Sequence, residues 1–144
     1  MKKVIWFFGS LFITHLGSAQ PLQSHLWEHR VVILLAPMEQ EPAFRQQYDL
    51  WTAQAGEVTE RDLVLYRLFP GSGIGPEGNG LRPGQFNNLI NRYGPIPEDG
   101  LKFILIGKDG AVKMEQHGTV AMQELFVRSD GMPMRRAEMR KQKN

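Results

Sequence analysis

The segment His25-Leu26-Trp27-Glu28-His29 has the H-x-x-E-H spacing with which some metallopeptidases hold zinc between two imidazoles while the glutamate serves as general base. That chemistry requires a stable helix with both rings on one face, and a further ligand from a distant segment. Here the segment runs straight into an apolar, strand-like stretch. It therefore reads as a lead-in, with Trp27 and Arg30 as packing and anchoring residues and nothing beyond weak, adventitious metal contact.

A second candidate is Asp130-Gly131-Met132-Pro133-Met134-Arg135-Arg136-Ala137-Glu138-Met139. Thioethers are soft ligands, so Met132, Met134 and Met139, joined by Met122 or His117, have the chemistry for Cu(I). The competing reading places Pro133 at the first position of a helix, with Asp130 before it as a cap or turn residue. The i,i+4 neighbours are then Met134 with Glu138 and Arg135 with Met139, which does not gather the three sulfurs. The methionines read as packing residues. A third candidate, Gly73-Ile74-Gly75-Pro76-Glu77-Gly78, matches G-x-G-x-x-G after a strand. A dinucleotide site needs that motif to open directly into a helix whose N-terminus holds the pyrophosphate. Pro76 lies inside the motif and the next helix waits for Pro83, so the run reads as a flexible surface loop. These motifs imply no metal, no cofactor and no catalytic group.

The chain has 144 residues and no cysteine. Lys2 and Lys3, the mostly apolar Val4 to Leu16, and the small residues Gly17-Ser18-Ala19 form the pattern of a secretory signal peptide, residues 1–19, cleaved after Ala19. The apolar run is shorter than the roughly 20 residues that span a bilayer, so no membrane span is expected after cleavage. The remainder, 20–144, is long enough for one domain with one core. Without cysteine an exported chain has neither disulfide staples nor thiol redox chemistry. The formal net charge of +2 is carried by the two signal lysines, which leaves a neutral mature chain and no argument for nucleic acid as partner. Basic residues concentrate after Arg128, and such a tail ordinarily lies solvated.

Whatever chemistry exists must be positioned by the following elements. Val31 to Ala36 is a continuous, β-branched apolar run closed by Pro37, a strand buried on both faces. Pro42 opens a helix with Phe44, Tyr48, Trp51 and Ala55 on one face and Gly56 as its end. Leu63 to Phe69 is a second strand. The glycine-rich run from Gly71 to Gly80 follows it. Pro83 opens a helix with Phe86, Leu89, Ile90 and Tyr93 in a stripe, ended by Gly94. Lys102 to Gly107 is a third strand, Lys108-Asp109-Gly110 a tight turn, and Ala111 to Gln116 the returning, half-exposed strand. Thr119 can cap a helix carrying Val120, Met122, Leu125 and Phe126, and Pro133 a last one. The order β-α-β-α-β-β-α-α, with two right-handed crossovers and a hairpin, predicts an α/β, thioredoxin-like three-layer sandwich: a mixed sheet of about four strands with helices on both faces.

Four blocks occur in sequence: Arg30 leading RVVILLAP, ERDLVLYRL from Glu60 to Leu68, FILIGKDGAVK from Phe103 to Lys113, and MPMRRAEM from Met132 to Met139. In these the chain resembles the P-DUDES family, a bacterial exported domain of unknown function also found in vertebrate extracellular proteins with sushi repeats and in the matrix protein equarin. The resemblance implies a thioredoxin-like fold and an exported, periplasmic or secreted location, and it brings no catalytic residues. In thioredoxin-like folds the reactive pair opens the first helix, where the helix N-terminus lowers thiol pKa values. Here Glu39 and Pro42 occupy the two cysteine positions, and Leu101-Lys102 stands where a cis-proline is expected. Glu39 and Glu41 then serve the helix dipole. The polar residues of the blocks, Arg61, Asp62, Lys108, Asp109, Arg135, Arg136 and Glu138, form either a recognition surface or an ion-pair network that docks the last helix. The expectation is a non-catalytic, exported module of adhesion type that binds an unknown protein or cell-surface ligand. The alternative is a periplasmic Met/His metal (copper) handling protein or a thiol-independent enzyme.

Overall fold

The computed structural model describes residues 22–143; the expected signal peptide lies outside them. The apolar run predicted as a doubly buried strand becomes β1, Arg30–Leu35, in which every residue is buried. The first helical segment is α1, Pro42–Ala53, and a short α2, Ala55–Glu60, follows it. The strand β2, Leu63–Phe69, is succeeded by an edge strand β3, Ser72–Ile74. Then come α3, Pro83–Tyr93; β4, Lys102–Ile106; β5, Val112–His117; α4, Met122–Asp130; and α5, Pro133–Gln142.

Among the described residues the sheet has five strands in the order β3-β2-β1-β4-β5. Strand β1 lies at the centre, parallel to β2 and antiparallel to β4. Alternate side chains of this sheet feed two apolar layers. Val32, Leu34, Leu65, Phe103 and Leu105 pack with Phe44 and Trp51 of α1 and with Leu125 and Phe126 of α4. Val31, Ile33, Tyr66, Leu68 and Ile104 pack with Leu89 and Tyr93 of α3. Helices thus cover both faces, the architecture of a thioredoxin-like three-layer sandwich. Gln47 pins α1 to the connection that leads into α4. Its side-chain amide donates to the Val120 carbonyl at 3.0 Å and accepts from the Val120 N–H at 2.6 Å.

Several sequence expectations are corrected. The glycine-rich run is not a flexible loop: β3 pairs antiparallel with β2, and Leu81 N–H donates to the Gly73 carbonyl at 2.8 Å. Gly73 makes this possible, since a Cβ there would lie 2.7 Å from Leu81 Cδ1 and 2.9 Å from Leu68 Cδ2. The helix from Pro42 ends at Ala53, before Gly56. Gln54 both caps α1 and starts α2, where Gly56 sits without a left-handed φ. Only β1 to β2 is a parallel crossover. Strand β4 returns antiparallel, because hydrophobic period identifies a strand and is silent on its direction. Ala121, not Thr119, precedes α4, and Asp130 is the last residue of α4 while Met132 precedes α5. A cis peptide bond occurs at Gly94–Pro95, earlier in the α3–β4 connection than the position directly before β4. No helix among the described residues is long and apolar enough to cross a membrane.

Candidate functional site

Strands β1 and β2 begin, and β4 ends, at the same end of the sheet. Parallel pairing of Arg30 with Leu63 and antiparallel pairing of Val31 with Ile106 therefore bring Arg30, Asp62 and Lys108 together. The α5 helix lies across this end. Its mean composition is strongly polar, and its only fully buried side chain is Arg135. An apolar stripe does not hold it there; charge does.

The network has two hubs. Glu138 of α5 accepts from Lys108 Nζ at 2.6 Å and from both terminal nitrogens of Arg30 at 3.4 Å. Lys108 Nζ also donates to Asp62 Oδ2 at 2.8 Å. Asp130 at the end of α4 receives a two-pronged bond from Arg61, Nε and Nη2 each at 3.0 Å, and a further bond from Arg135 Nε at 3.1 Å. Arg135 spans onward to Glu60, at 2.9 Å to the carboxylate and 3.0 Å to the carbonyl. Arg61 reaches back to Glu57 at 2.7 Å and stacks over the Phe126 ring at 4.4 Å. Arg30, Lys108 and Arg135 are 0%, 7% and 1% exposed. At such burial an unmatched charge would be prohibitive, so the acids are obligatory.

The carboxylates register this environment. Burial acts to raise the pKa of Asp130, but hydrogen bonds and charge from Arg61 and Arg135 together outweigh it and hold the group below its ordinary value. Glu138 behaves likewise: burial raises, while Lys108 and Arg30 together lower it further.

Of the sequence-predicted site residues, Arg61, Asp62, Lys108, Arg135 and Glu138 converge as charge partners, and of these Lys108 also borders an open cleft. Asp109 and Arg136 stand outside the network, Asp109 lining the same cleft. Asp109 pairs with Lys113 at 2.8 Å across the exposed hairpin turn, which lowers its pKa through the Lys113 hydrogen bond and then the Ala111 N–H. Arg136 is exposed, one position round the helix from Arg135. Sequence reasoning missed Arg30, Asp130 and Glu60 as members. An arginine opening a wholly apolar strand was the available signal for Arg30, because a charge entering a buried strand must find an acid.

Beside the network lies a cleft of about 270 Å³ lined by Trp27, Lys108, Lys113 and Met132-Pro133-Met134. Trp27 is 64% exposed and adopts φ 67°, the left-handed region. A bulky residue held there costs about 1–3 kcal/mol, and its N–H is fixed to the Lys108 carbonyl at 2.7 Å. Met132 and Met134 share this cleft. Met122, in contrast, is buried in the α4 layer with its sulfur accepting from Gln47, and His117 pairs with Lys102 at the far end of β5. Met122 and His117 therefore do not join Met132 and Met134.

The remaining motif residues occupy other places. Glu39 and Met38 are exposed at the opposite end of the sheet. His25 closes a 3-10 turn, Gln23–His25, rather than lying on the long helix that a zincin needs. Its Nδ1 is 3.2 Å from His29 Nδ1 and its Nε2 is 2.8 Å from the Tyr66 hydroxyl. Burial and then the neighbouring His29 lower the His25 pKa, with Glu28 opposing, and burial raises that of Tyr66. Among the described residues no group of three or more His, Asp or Glu side chains could hold a metal ion. A family model described as a domain of unknown function, DUF4174, matches residues 21–138.

Proposed function

The chain belongs to the DUF4174 family of domains of unknown function, and from that premise we propose that it is a non-catalytic binding module which grips a protein or cell-surface ligand. The observation that carries the reading is Trp27. A tryptophan in a strained backbone conformation, held out over a cleft by a hydrogen bond to the residue that anchors α5, has the character of a binding anchor. Met132, Pro133 and Met134 give the cleft an apolar floor, and Lys113 and Asp109, paired at 2.8 Å, line it as a neutral couple. The ligand that suits it is a polypeptide segment presenting an apolar side chain.

The absence of catalysis rests on two supports. The buried charges of the network are spent on one another, and the first helix opens with Glu39 and Pro42 where a reactive thiol pair would stand. The resemblance to P-DUDES proteins in the four sequence blocks supports an exported, periplasmic or secreted site of action, as does the signal-like N-terminus.

The test uses the mature chain on an array of peptides that present Leu, Met or Phe, read by tryptophan fluorescence. Binding that Trp27→Ala weakens at least about 10-fold, as expected of an interface anchor, and that Arg136→Ala leaves unchanged, supports the reading. Equal binding by Trp27→Ala, or turnover of peroxide or of a disulfide substrate by the wild type, refutes it.

A further inference from the structure

On the α3 side of the sheet, away from the α5 network, the lead-in to β1 carries a second polar cluster built on neutral partners. His29 N–H donates to the His25 carbonyl at 2.9 Å, a helical turn that sets residues four apart on one side. The rings meet edge to face with centroids 5.1 Å apart. Their Nδ1 atoms face each other at 3.2 Å. Two nitrogens each 2.0–2.1 Å from one tetrahedral ion stand roughly 3.3 Å apart, so the observed separation equals the bite of a two-imidazole chelate.

The outer arrangement is also that of a ligand. A metal-binding imidazole characteristically commits its other ring nitrogen to a fixed partner, which sets tautomer and orientation. His25 Nε2 does so with the hydroxyl of Tyr66 at 2.8 Å, and Tyr66 is buried in β2 and cannot swing away. In the tautomer that donates Nε2–H to Tyr66, His25 Nδ1 presents a lone pair toward His29. A cleft of about 280 Å³, lined by Ser24, His25, Tyr66, Glu77, Asn79 and Gln85 among others, adjoins His25. It gives solvent or an exogenous donor a way to that residue. The turn that follows β3 shapes that cleft through Gly75, whose N–H donates to the Asn79 carbonyl at 2.9 Å.

We propose that His25 and His29 form a two-imidazole site for a borderline divalent cation, Zn(II) or Cu(II), with Tyr66 as the outer partner that orients His25. Imidazole nitrogen suits these ions better than Mg(II) or Ca(II), which prefer oxygen ligands. The site is separate from the methionines of the α5 corner, and its cleft shares no lining residue with the one at Trp27. In the absence of an ion the two rings share one hydrogen bond. Loading an ion moves the bridging proton to the far nitrogen of its ring and replaces that bond.

The experiment is calorimetric titration of the untagged mature chain with Zn(II) and with Cu(II) salts, beside histidine-labelled NMR. The expected result is one ion per chain, with the imidazole resonances of His25 and His29 shifted and that of His117 unmoved. His25→Ala and His29→Ala each abolish the ion, and the second leaves the Tyr66 contact in place as a folding control. Tyr66→Phe retains the stoichiometry and weakens affinity about 10-fold or more. No saturable binding by the wild type overturns the proposal. So does binding that persists in the His25→Ala/His29→Ala double variant, which would assign the ion elsewhere.

Discussion

At the end of the sheet where β1 and β2 begin, three basic side chains, Arg30, Lys108 and Arg135, are almost wholly buried, and acids from three helices and a loop meet them. At the end where those strands finish, the turn from Pro37 into α1 leaves Met38 and Glu39 exposed. There a single buried lysine, Lys102, is met by the Tyr93 carbonyl at 3.0 Å and by Glu115 at 2.9 Å. The second end is where a thioredoxin-like fold would work, and here it holds no thiol. The first end holds most of the distinctive residues of the sequence, and they are internal. The contrast separates two meanings of a dense polar motif. Charges that find opposite charges within the fold act as architecture. Groups that line a cleft, such as Trp27 or His25, are the ones available to a ligand.

Removing the hub of the first end tests that contrast most strongly. Glu138→Ala strands Arg30 without its acid and leaves Lys108 only Asp62, so it should cost about 3–5 kcal/mol, the range for breaking a buried pair from one side. Urea unfolding followed by circular dichroism measures it. Glu39→Ala at the opposite end should fall within about 0.5 kcal/mol. Equal effects at the two ends would dissolve the distinction.

Acid provides a second break. Asp130 and Glu138 are held below their ordinary pKa values in the folded chain. The groups that face them are Arg61 and Arg135 on one side and Lys108, Arg30 and Arg135 on the other. A depressed folded pKa contributes stability that is fully present above the unfolded value, about 4, and is lost as pH falls through the folded one. Stability should therefore respond little to these two groups between pH 7 and 5 and decline steeply below about 4. A midpoint series in urea across that range checks it, and Asp130→Asn should flatten the acid limb.

Gly73→Ala is expected to act next in size. Its new methyl would press on Leu81 and Leu68, an overpacking worth about 1–3 kcal/mol, and would loosen β3 without touching the α5 network. Thermal unfolding gives the loss. Neutral behaviour would mean that the glycine-rich run flexes after all.

The unequal legibility of the two ends has a physical origin. Local pattern found β1, β2, α3, β4 and β5, because each buries its own periodic face and needs no distant partner. It mistook Gly71 to Gly80 for a loop, since the cue for β3 is the close approach of Leu81 and Leu68 to Gly73, a contact made only in three dimensions. The same holds for the site. Arg61, Asp62, Lys108, Arg135 and Glu138 were legible as polar residues in distinctive blocks. That Arg30 belongs with them was hidden by a sequence separation of 108 residues between Arg30 and Glu138. Asp130 looked like a cap because acids before a proline-started helix usually are caps. Its carboxylate instead serves Arg61 and Arg135, a choice that only the packing of α4 against α2 decides.

The finest test compares neighbours on α5. Arg135 and Arg136 are adjacent and chemically identical, and both stood among the expected site residues. The helix turns about 100° between them, which puts one guanidinium into the network and the other into solvent. Arg136→Ala should change unfolding free energy by no more than about 0.5 kcal/mol. Arg135→Ala should approach the loss seen with Glu138→Ala, because Asp130 and Glu60 lose a shared cation. Asp109→Ala, which opens only the exposed pair with Lys113, belongs with Arg136 at about 0.2–1 kcal/mol. If Arg136→Ala instead abolished peptide binding while leaving stability intact, the outer face of α5 would be the recognition surface. Charge placement on this helix would then divide by face: the inward residues fasten the helix, and the outward ones are free to meet a partner.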